Sequence, residues 1–269
     1  MQNIKEYTAR KKAELKKYVE TLTEKPKLVI IQVGNVEASN RYVRNKIKDC
    51  ESCLIPVELR HFDETISEAD LLVEIAKCNS DPSITAYICQ LPLPAHINEN
   101  KIINAVSPEK DADGFSKLAY TNAATPQGII DFLEDQNFDF VNKNAVVIGR
   151  SHILGAPLSR MLLERSCNIT TLHSKTSDAN KRLYLENADI IFAAAGVRNL
   201  IDKSYKLKPT AVVIDFGMNF DENGKLCGDC ERDLPVAYQS TCPGGTGLTT
   251  RLALITNLIK LYKLQKHIC

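Results

Sequence analysis

Short apolar runs alternate with amphipathic stretches along most of this chain, and that alternation restricts it to parallel sheets covered by helices. Leu28-Val-Ile-Ile-Gln-Val33 is the clearest run, rich in β-branched residues and closed by Gly34. A helix follows over roughly Ser39 to Cys53, then a strand over Val57–Phe62. Ser67-Glu-Ala-Asp70 has the form of a capping box and opens the next helix. A third strand, Ile84–Cys89, stops at Gln90-Leu-Pro-Leu-Pro94, because proline cannot continue a central ladder. A second series starts at Thr125-Pro126 with a helix to about Asp135. It continues through strands at Ala145–Ile148, Ile169–Leu172, Ile190–Ala195 and Ala211–Asp215, with helices between them. From Thr249 an amphipathic helix closes the chain. Two series predict two α/β domains with a cleft between them.

Composition narrows the function classes. A net charge of +1 gives no global field for nucleic acid or an anionic membrane. Hydrophobic residues at 44% and charged residues at 25% are those of a globular protein. No stretch approaches the ~18–20 apolar residues of a membrane span. The N-terminus, with Lys11, Lys12, Glu14, Lys16 and Lys17, has no apolar core and is expected to form an exposed amphipathic helix. A cytoplasmic protein is therefore expected. The 9 cysteines read mostly as reduced, buried thiols. Cys50 with Cys53 and Cys227 with Cys230 have metal-like spacing, but a zinc site would need both pairs to meet in space, and no metal is expected.

Ala145-Val-Val-Ile-Gly-Arg-Ser-His-Ile-Leu-Gly155 reads as strand, glycine turn and helix. Gly149 permits a tight turn, Gly155 permits close helix–strand packing, and the helix N-terminus offers amides to a phosphate. The spacing is not G-x-G-x-x-G, so alone it is compatible with an ordinary βα turn. The following strand sharpens it. NAD-binding folds usually place an acid near that strand's end to hold the ribose hydroxyl. Here it ends His173-Ser-Lys-Thr176, with no acid. Arg150, Ser174 and Lys175 suit a 2′-phosphate, which favours NADP.

Tyr42 and Lys46 share one face of the helix after the first strand. The pair has the Y-x-x-x-K form of short-chain dehydrogenases, but here it precedes the nucleotide glycines, against the order in that family. With Arg41, Arg44 and Lys48 around it, the alternative is a solvated basic face. Gln90 sits at a strand's carboxyl end, where open α/β sheets bind ligands. Asp111 and Asp113 lie in an acidic turn, Pro108–Phe115, and Pro243-Gly-Gly-Thr-Gly247 is a loop before the last helix. A capped surface turn and a plain linker are the plainer readings of these two.

Together these segments resemble the bifunctional methylenetetrahydrofolate dehydrogenase/cyclohydrolase family. The motifs run in order: Tyr42-Val-Arg-Asn-Lys46, Gln90-Leu-Pro-Leu-Pro94, Lys110-Asp-Ala-Asp-Gly114, Gly149-Arg-Ser151 with Gly155 and Pro157, His173-Ser-Lys-Thr176, and Pro243-Gly-Gly245. The resemblance implies a three-layer α/β folate domain, 1–125 plus 249–269, and a Rossmann-type NADP domain, 126–248. It implies a homodimer in one-carbon and purine metabolism, with folate in the interdomain cleft. Lys46 would be the catalytic lysine, Tyr42 would pack on the folate, Gln90 would hydrogen-bond Lys46, and Asp113 would hold the pterin. Gly149, Arg150, Ser151, Gly155, Ser174 and Lys175 would bind NADP, and Pro243, Gly244 and Gly245 would border the reacting centre. Oxidation would move hydride from the methylene carbon, a step that depends mainly on positioning. Hydrolysis of the methenyl product requires proton transfer, for which a lysine beside a cation is suited.

The chain departs from the family pattern in places. Ala123-Ala-Thr-Pro126 stands for the usual Pro-Cys-Thr-Pro, and Cys242, Thr246, Leu248 and Thr249 replace residues around the last glycine loop. The N-terminal segment is also short. Two rivals remain: an NADP-linked dehydrogenase for a hydroxy or amino acid, and a nucleotide- or folate-binding protein without turnover.

Overall fold

The structure, a computed structural model, describes residues 1–268. It contains two compact units, Ala9–Ala124 with the chain from Arg251 onward, and Met1–Thr8 with Thr125–Thr250.

The first unit follows α1 (Ile4–Thr21) through β1 (Leu28–Val33), α2 (Glu37–Ser52), β2 (Val57–Phe62), α3 (Glu68–Ser80), β3 (Ala86–Cys89) and α4 (Glu99–Ala105). The strands form a parallel sheet of order β2-β1-β3. β1 is central and buried at every position, as a strand covered on both faces must be. Its side chains alternate between two cores. Leu28 and Ile30 pack with Val19 of α1 and Val43 and Cys50 of α2. Val29, Ile31 and Val33 pack with Leu71 and Ile75 of α3 and Ile102 of α4. Fully burying such a side chain contributes roughly 1.5–3 kcal/mol. β2, at the edge, is only partly buried.

Ser67 caps α3, its Oγ accepting the Asp70 amide at 3.1 Å. The Ser67 hydroxyl also donates to the Asp70 carboxylate at 2.6 Å, so the pair meets side chain to side chain. β3 starts later than Ile84 because the amides of Thr85 and Ala86 both turn to Lys27 O, at 3.1 and 3.3 Å. The short helix α4, capped by Asn98, has no counterpart among the expected elements.

The second unit holds α5 (Ala124–Asp135), β4 (Asn144–Ile148), α6 (Gly155–Leu163), β5 (Asn168–Leu172), α7 (Asp178–Glu186), β6 (Ile190–Ala193) and β7 (Val212–Asp215). Then come the two-residue strands β8 (Asn219–Phe220), β9 (Leu226–Cys227) and β10 (Tyr238–Gln239). The main sheet has the order β10-β7-β6-β4-β5 and is parallel throughout. The chain winds outward from β4 to β5, then returns past β4 to β6. The reversal lies between β4 and β6, the place where open α/β sheets bind ligands. β8 and β9 form an antiparallel hairpin.

The N-terminus departs from expectation in two ways. The first eight residues, expected with the first domain, belong to the second unit. Tyr7 meets Phe132 edge-on with centroids 5.3 Å apart, and the Gln2 amide donates to Gln136 Oε1 at 2.5 Å. The helix is also less exposed than its charge pattern suggests, with Ile4, Tyr7 and Val19 buried.

The closing helix α8 (Thr246–Gln265) sends Leu254, Ile255, Leu258, Ile259 and Leu261 into the core above β1. Its buried Asn257 donates to Ala112 O at 2.9 Å and Asn122 O at 3.0 Å, clasping the loop that carries Asp113. Asn257→Ala leaves both carbonyls without that donor. It is expected to lower unfolding free energy by about 1–3 kcal/mol. Urea denaturation reads this directly, and an unchanged midpoint would show that the clasp does not stabilise the fold.

Candidate active site

In α2, Tyr42 and Lys46 fall on one face, and burial separates their neighbours. Arg41, Arg44 and Lys48 are exposed, so the solvated basic face exists, and Arg44 pairs there with Glu37 at 2.7 Å. Lys46 is not part of it. Only 7% of the residue is exposed, and its Nζ lies 3.7 Å from Asp113 Oδ1. Tyr42 is half-buried. The Lys46–Asp113 contact is an ion pair at a distance longer than a good hydrogen bond. Burial raises the Asp113 carboxyl above its ordinary value, while the Lys46 charge opposes the shift.

The two aspartates of the acidic turn have different environments. Asp111 accepts the amides of Gly114 and Ser116 at 2.8 and 2.7 Å, and its backbone bridges to Tyr87 of β3. Gly114 has φ +67, and a Cβ there would meet Asn122 O at 2.3 Å. Asp111 therefore shapes the turn, and the turn sets Asp113 beside the carboxyl end of β3, within electrostatic reach of Cys89. The turn is built in rather than a simple surface cap.

Gln90 follows β3 directly. The expected hydrogen bond to Lys46 is absent. Gln90 Nε2 donates instead to Leu91 O at 2.7 Å, and Oε1 is buried without a partner among the described residues. An unsatisfied buried acceptor costs about 1–3 kcal/mol, which a ligand N–H would offset.

In the second unit, the turn after β4 has the geometry of a dinucleotide cradle. Gly149 has φ +118, and a Cβ there would meet Ala194 O at 2.3 Å. A Cβ on Gly155 would meet Gly149 O at 2.3 Å. The helix N-terminus offers fewer amides than expected. Ala156 N is taken by Ser151 O at 3.0 Å, and Pro157 has none. Gly155 N has only a 3.5 Å contact to Ser151 Oγ. Arg150 and Ser151 are exposed, as are Ser174 and Lys175 in the neighbouring turn after β5. That turn is held by Thr176 N to His173 O at 2.9 Å and contains no acid. These residues fit a dinucleotide carrying a 2′-phosphate.

The Pro243–Gly245 segment is pinned rather than a plain linker. Gly244 has φ +95, a Cβ on Gly245 would meet Thr241 O at 2.2 Å, and Thr246 Oγ1 donates to Asp215 O at 3.2 Å. Burial pushes the half-buried Cys242 thiol up to about 11, and the thiol donates to Gly217 O at 3.2 Å. Cys50 and Cys53 are buried in the first unit, while Cys227 and Cys230 lie in the second. Among the described residues no group of three or more His, Cys, Asp or Glu is arranged to hold a metal. Sequence reasoning missed two buried carboxylates, Asp215 and Asp229. The available signal was an acid closing the apolar run of β7, and glycines beside both aspartates.

Comparison with known proteins decides the family. Residues 3–113 match the catalytic domain of tetrahydrofolate dehydrogenase/cyclohydrolase, and residues 123–266 match its NAD(P)-binding domain. The chain belongs to the tetrahydrofolate dehydrogenase/cyclohydrolase family. It is 42% identical over 248 residues to the bifunctional protein FolD of Polaromonas naphthalenivorans, covering 87% of each chain. Its fold is similar to the bifunctional FolD of Campylobacter jejuni, with a TM-score of 0.92 and 33% identity over 97% of this chain and 98% of that one. It is also similar to the Trypanosoma brucei dehydrogenase-cyclohydrolase complexed with NADP and an inhibitor, with a TM-score of 0.92 and 25% identity over 98% and 97% of the two chains. The chain is thus a folate enzyme with dehydrogenase and cyclohydrolase activities and a nicotinamide dinucleotide site. The rival hydroxy- or amino-acid dehydrogenase is excluded. The catalytic-domain match contains Tyr42, Lys46, Gln90 and Asp113, and the other match contains Gly149 through Gly245. Among the described residues no helix is long and apolar enough to cross a membrane.

Proposed function

We propose that the chain oxidises 5,10-methylenetetrahydrofolate with NADP and hydrolyses the methenyl product to 10-formyltetrahydrofolate, with Lys46 and Asp113 at the folate. The observation that carries this reading is the buried Lys46–Asp113 pair at 3.7 Å. Its two charges neutralise each other without a short hydrogen bond, so both keep capacity for a ligand. Asp113 accepts two parallel N–H bonds from the amidine-like edge of the pterin. The free Gln90 Oε1 accepts a third folate N–H. The Tyr42 ring packs on the folate.

The Gly149 turn, Ser151 and Gly155 bind the dinucleotide phosphates, while Arg150, Ser174 and Lys175 bind the 2′-phosphate. Held there, NADP would supply the hydride acceptor for oxidation of the methylene carbon. The folate nitrogens stabilise the cation that remains. Lys46, beside that cation, takes a proton from the attacking water. The enzyme acts as a cytoplasmic homodimer, and its formyl product supports one-carbon transfers such as those of purine biosynthesis. The exposed side chains of Met218 and Phe220 offer a second copy apolar surface.

Lys46→Met keeps the stem and removes the amine. Cyclohydrolase activity should fall by roughly a hundredfold or more, with part of the dehydrogenase activity retained. Methenyl formation with NADP and methenyl loss without cofactor, followed by absorbance on one preparation, test this. Wild-type hydrolysis in the variant removes Lys46 from that role.

Asp113→Ala should weaken folate binding and spare NADP binding, as read by titration of each ligand. Unchanged folate affinity takes Asp113 out of the site.

Arg150→Ala should reduce the preference for NADP over NAD in kcat/KM. A variant with the full wild-type preference shows that Arg150 does not read the 2′-phosphate.

A further inference from the structure

Asp229 is wholly buried and no ion pair neutralises it among the described residues, yet its carboxylate is saturated. Oδ2 accepts the amides of Ala195 and Gly196 at 2.7 and 3.0 Å. Oδ1 accepts the Val197 amide and Asn219 Nδ2, both at 2.9 Å. Three successive amides around a left-handed residue, here Gly196 at φ +66, make the anion-binding concavity that elsewhere holds phosphate. In this chain the concavity is filled from within.

The loop it organises lies at the switch point. Ala194 N donates to Ile148 O at 2.8 Å, and Ala194 O is the atom that a Gly149 Cβ would strike at 2.3 Å. Ala194 therefore abuts the Gly149 turn, and the loop it begins follows β6 at the crevice between β4 and β6, where a dinucleotide sits in such sheets. Asp229 is itself held. Asp215 Oδ1 accepts the Asp229 amide at 2.9 Å and the Gly217 amide at 2.7 Å, and Oδ2 accepts the Cys230 amide at 2.9 Å. Gly217 and Gly228 are obligatory beside them, since a Cβ on Gly217 would meet Asp229 N at 2.2 Å and one on Gly228 would meet Asp215 Oδ2 at 1.9 Å.

We infer that Asp229 is a positioning residue for NADP: by filling the amide concavity of Ala195–Val197 it fixes the loop after β6 as a preformed wall of the dinucleotide crevice. The inference rests on the proposed NADP site. Asp215 acts one step back, by orienting Asp229. Both carboxylates are engaged by backbone amides and Asn219 of the second unit, so the expected effect belongs to the cofactor.

Asp229→Asn tests this. An amide group has one acceptor and one donor end, and either orientation turns N–H toward N–H. The KM and Kd for NADP should rise about tenfold, the equivalent of one lost charge-assisted hydrogen bond. The KM for methylenetetrahydrofolate and the cofactor-free hydrolysis of methenyltetrahydrofolate should move less than about twofold, because only a cofactor-specific effect separates the two activities. A merely structural role would lower both activities together and overturn the inference, as would an unchanged NADP affinity. Gly196→Ala is the second variant. Its Cβ meets open space, so it acts only by opposing the left-handed backbone. It should also raise the NADP KM with hydrolysis retained, and if Asp229→Asn does not fold, an unaltered NADP KM here overturns the inference. If wild type binds and reduces NADP while both variants match it, the inference fails and the proposed function stands. If wild type does neither, the proposed NADP reading fails and the inference falls with it.

Discussion

Parallel pairing on both sides of β1 and β4 sets what the remaining segments can do. A strand hydrogen-bonded to two neighbours and covered on both faces has no solvent-facing side chain to spare. Polar chemistry is forced out of the strands and into the segments that follow them. Gln90 and Asp113 come after or beside the end of β3, the Gly149 turn after β4, His173–Thr176 after β5, Ala194–Val197 after β6, and Asp215 closes β7. Apolar ladders such as Leu28–Val33 fix where those ends lie to within the rise of a single residue.

Four buried aspartates then divide by how their charge is met. Asp111, Asp215 and Asp229 are saturated by backbone or amide donors at 2.7–3.0 Å and have become part of the framework. Asp113 faces a lysine at 3.7 Å instead. A buried charge whose hydrogen bonds are already made stabilises a loop. One compensated chiefly through space retains lone pairs for a ligand, at some cost to the empty fold. The unpartnered Gln90 Oε1 carries a similar cost in the same unit. Such unmet demand is expected where binding must supply the missing partners.

The same division explains what could be read from sequence. β1 and the strand after Lys143 are legible because buried apolar runs leave a trace in the sequence, and Ser67 because a cap is local chemistry. β8, β9 and β10 are two residues each and leave no period. The Lys46–Asp113 pair was legible as two residues of suitable type but not as a contact, since a fold must bring α2 to the 111–116 turn. Gln90 was placed correctly at a strand end, but its partner was not, because the neighbouring Leu91 carbonyl competes for the same amide. The role of Asp229 was not legible, because the three loop amides its carboxylate accepts lie more than thirty residues away, with |i−j| of 34, 33 and 32.

Two amide-rich turns flank the reversal of strand order, and they differ in what fills them. The turn after β4 leaves the Arg150 and Ser151 side chains exposed and its Gly155 amide with only a 3.5 Å contact to Ser151 Oγ. The turn after β6 has spent its amides on Asp229. If both were open, the crevice would have two competing anion sites and a mobile wall between them. Filling one from within removes the competitor and leaves that wall fixed before the cofactor arrives, so less ordering is required on binding. On the inference drawn above, a single carboxylate inside the protein thereby helps decide which glycine turn holds the dinucleotide.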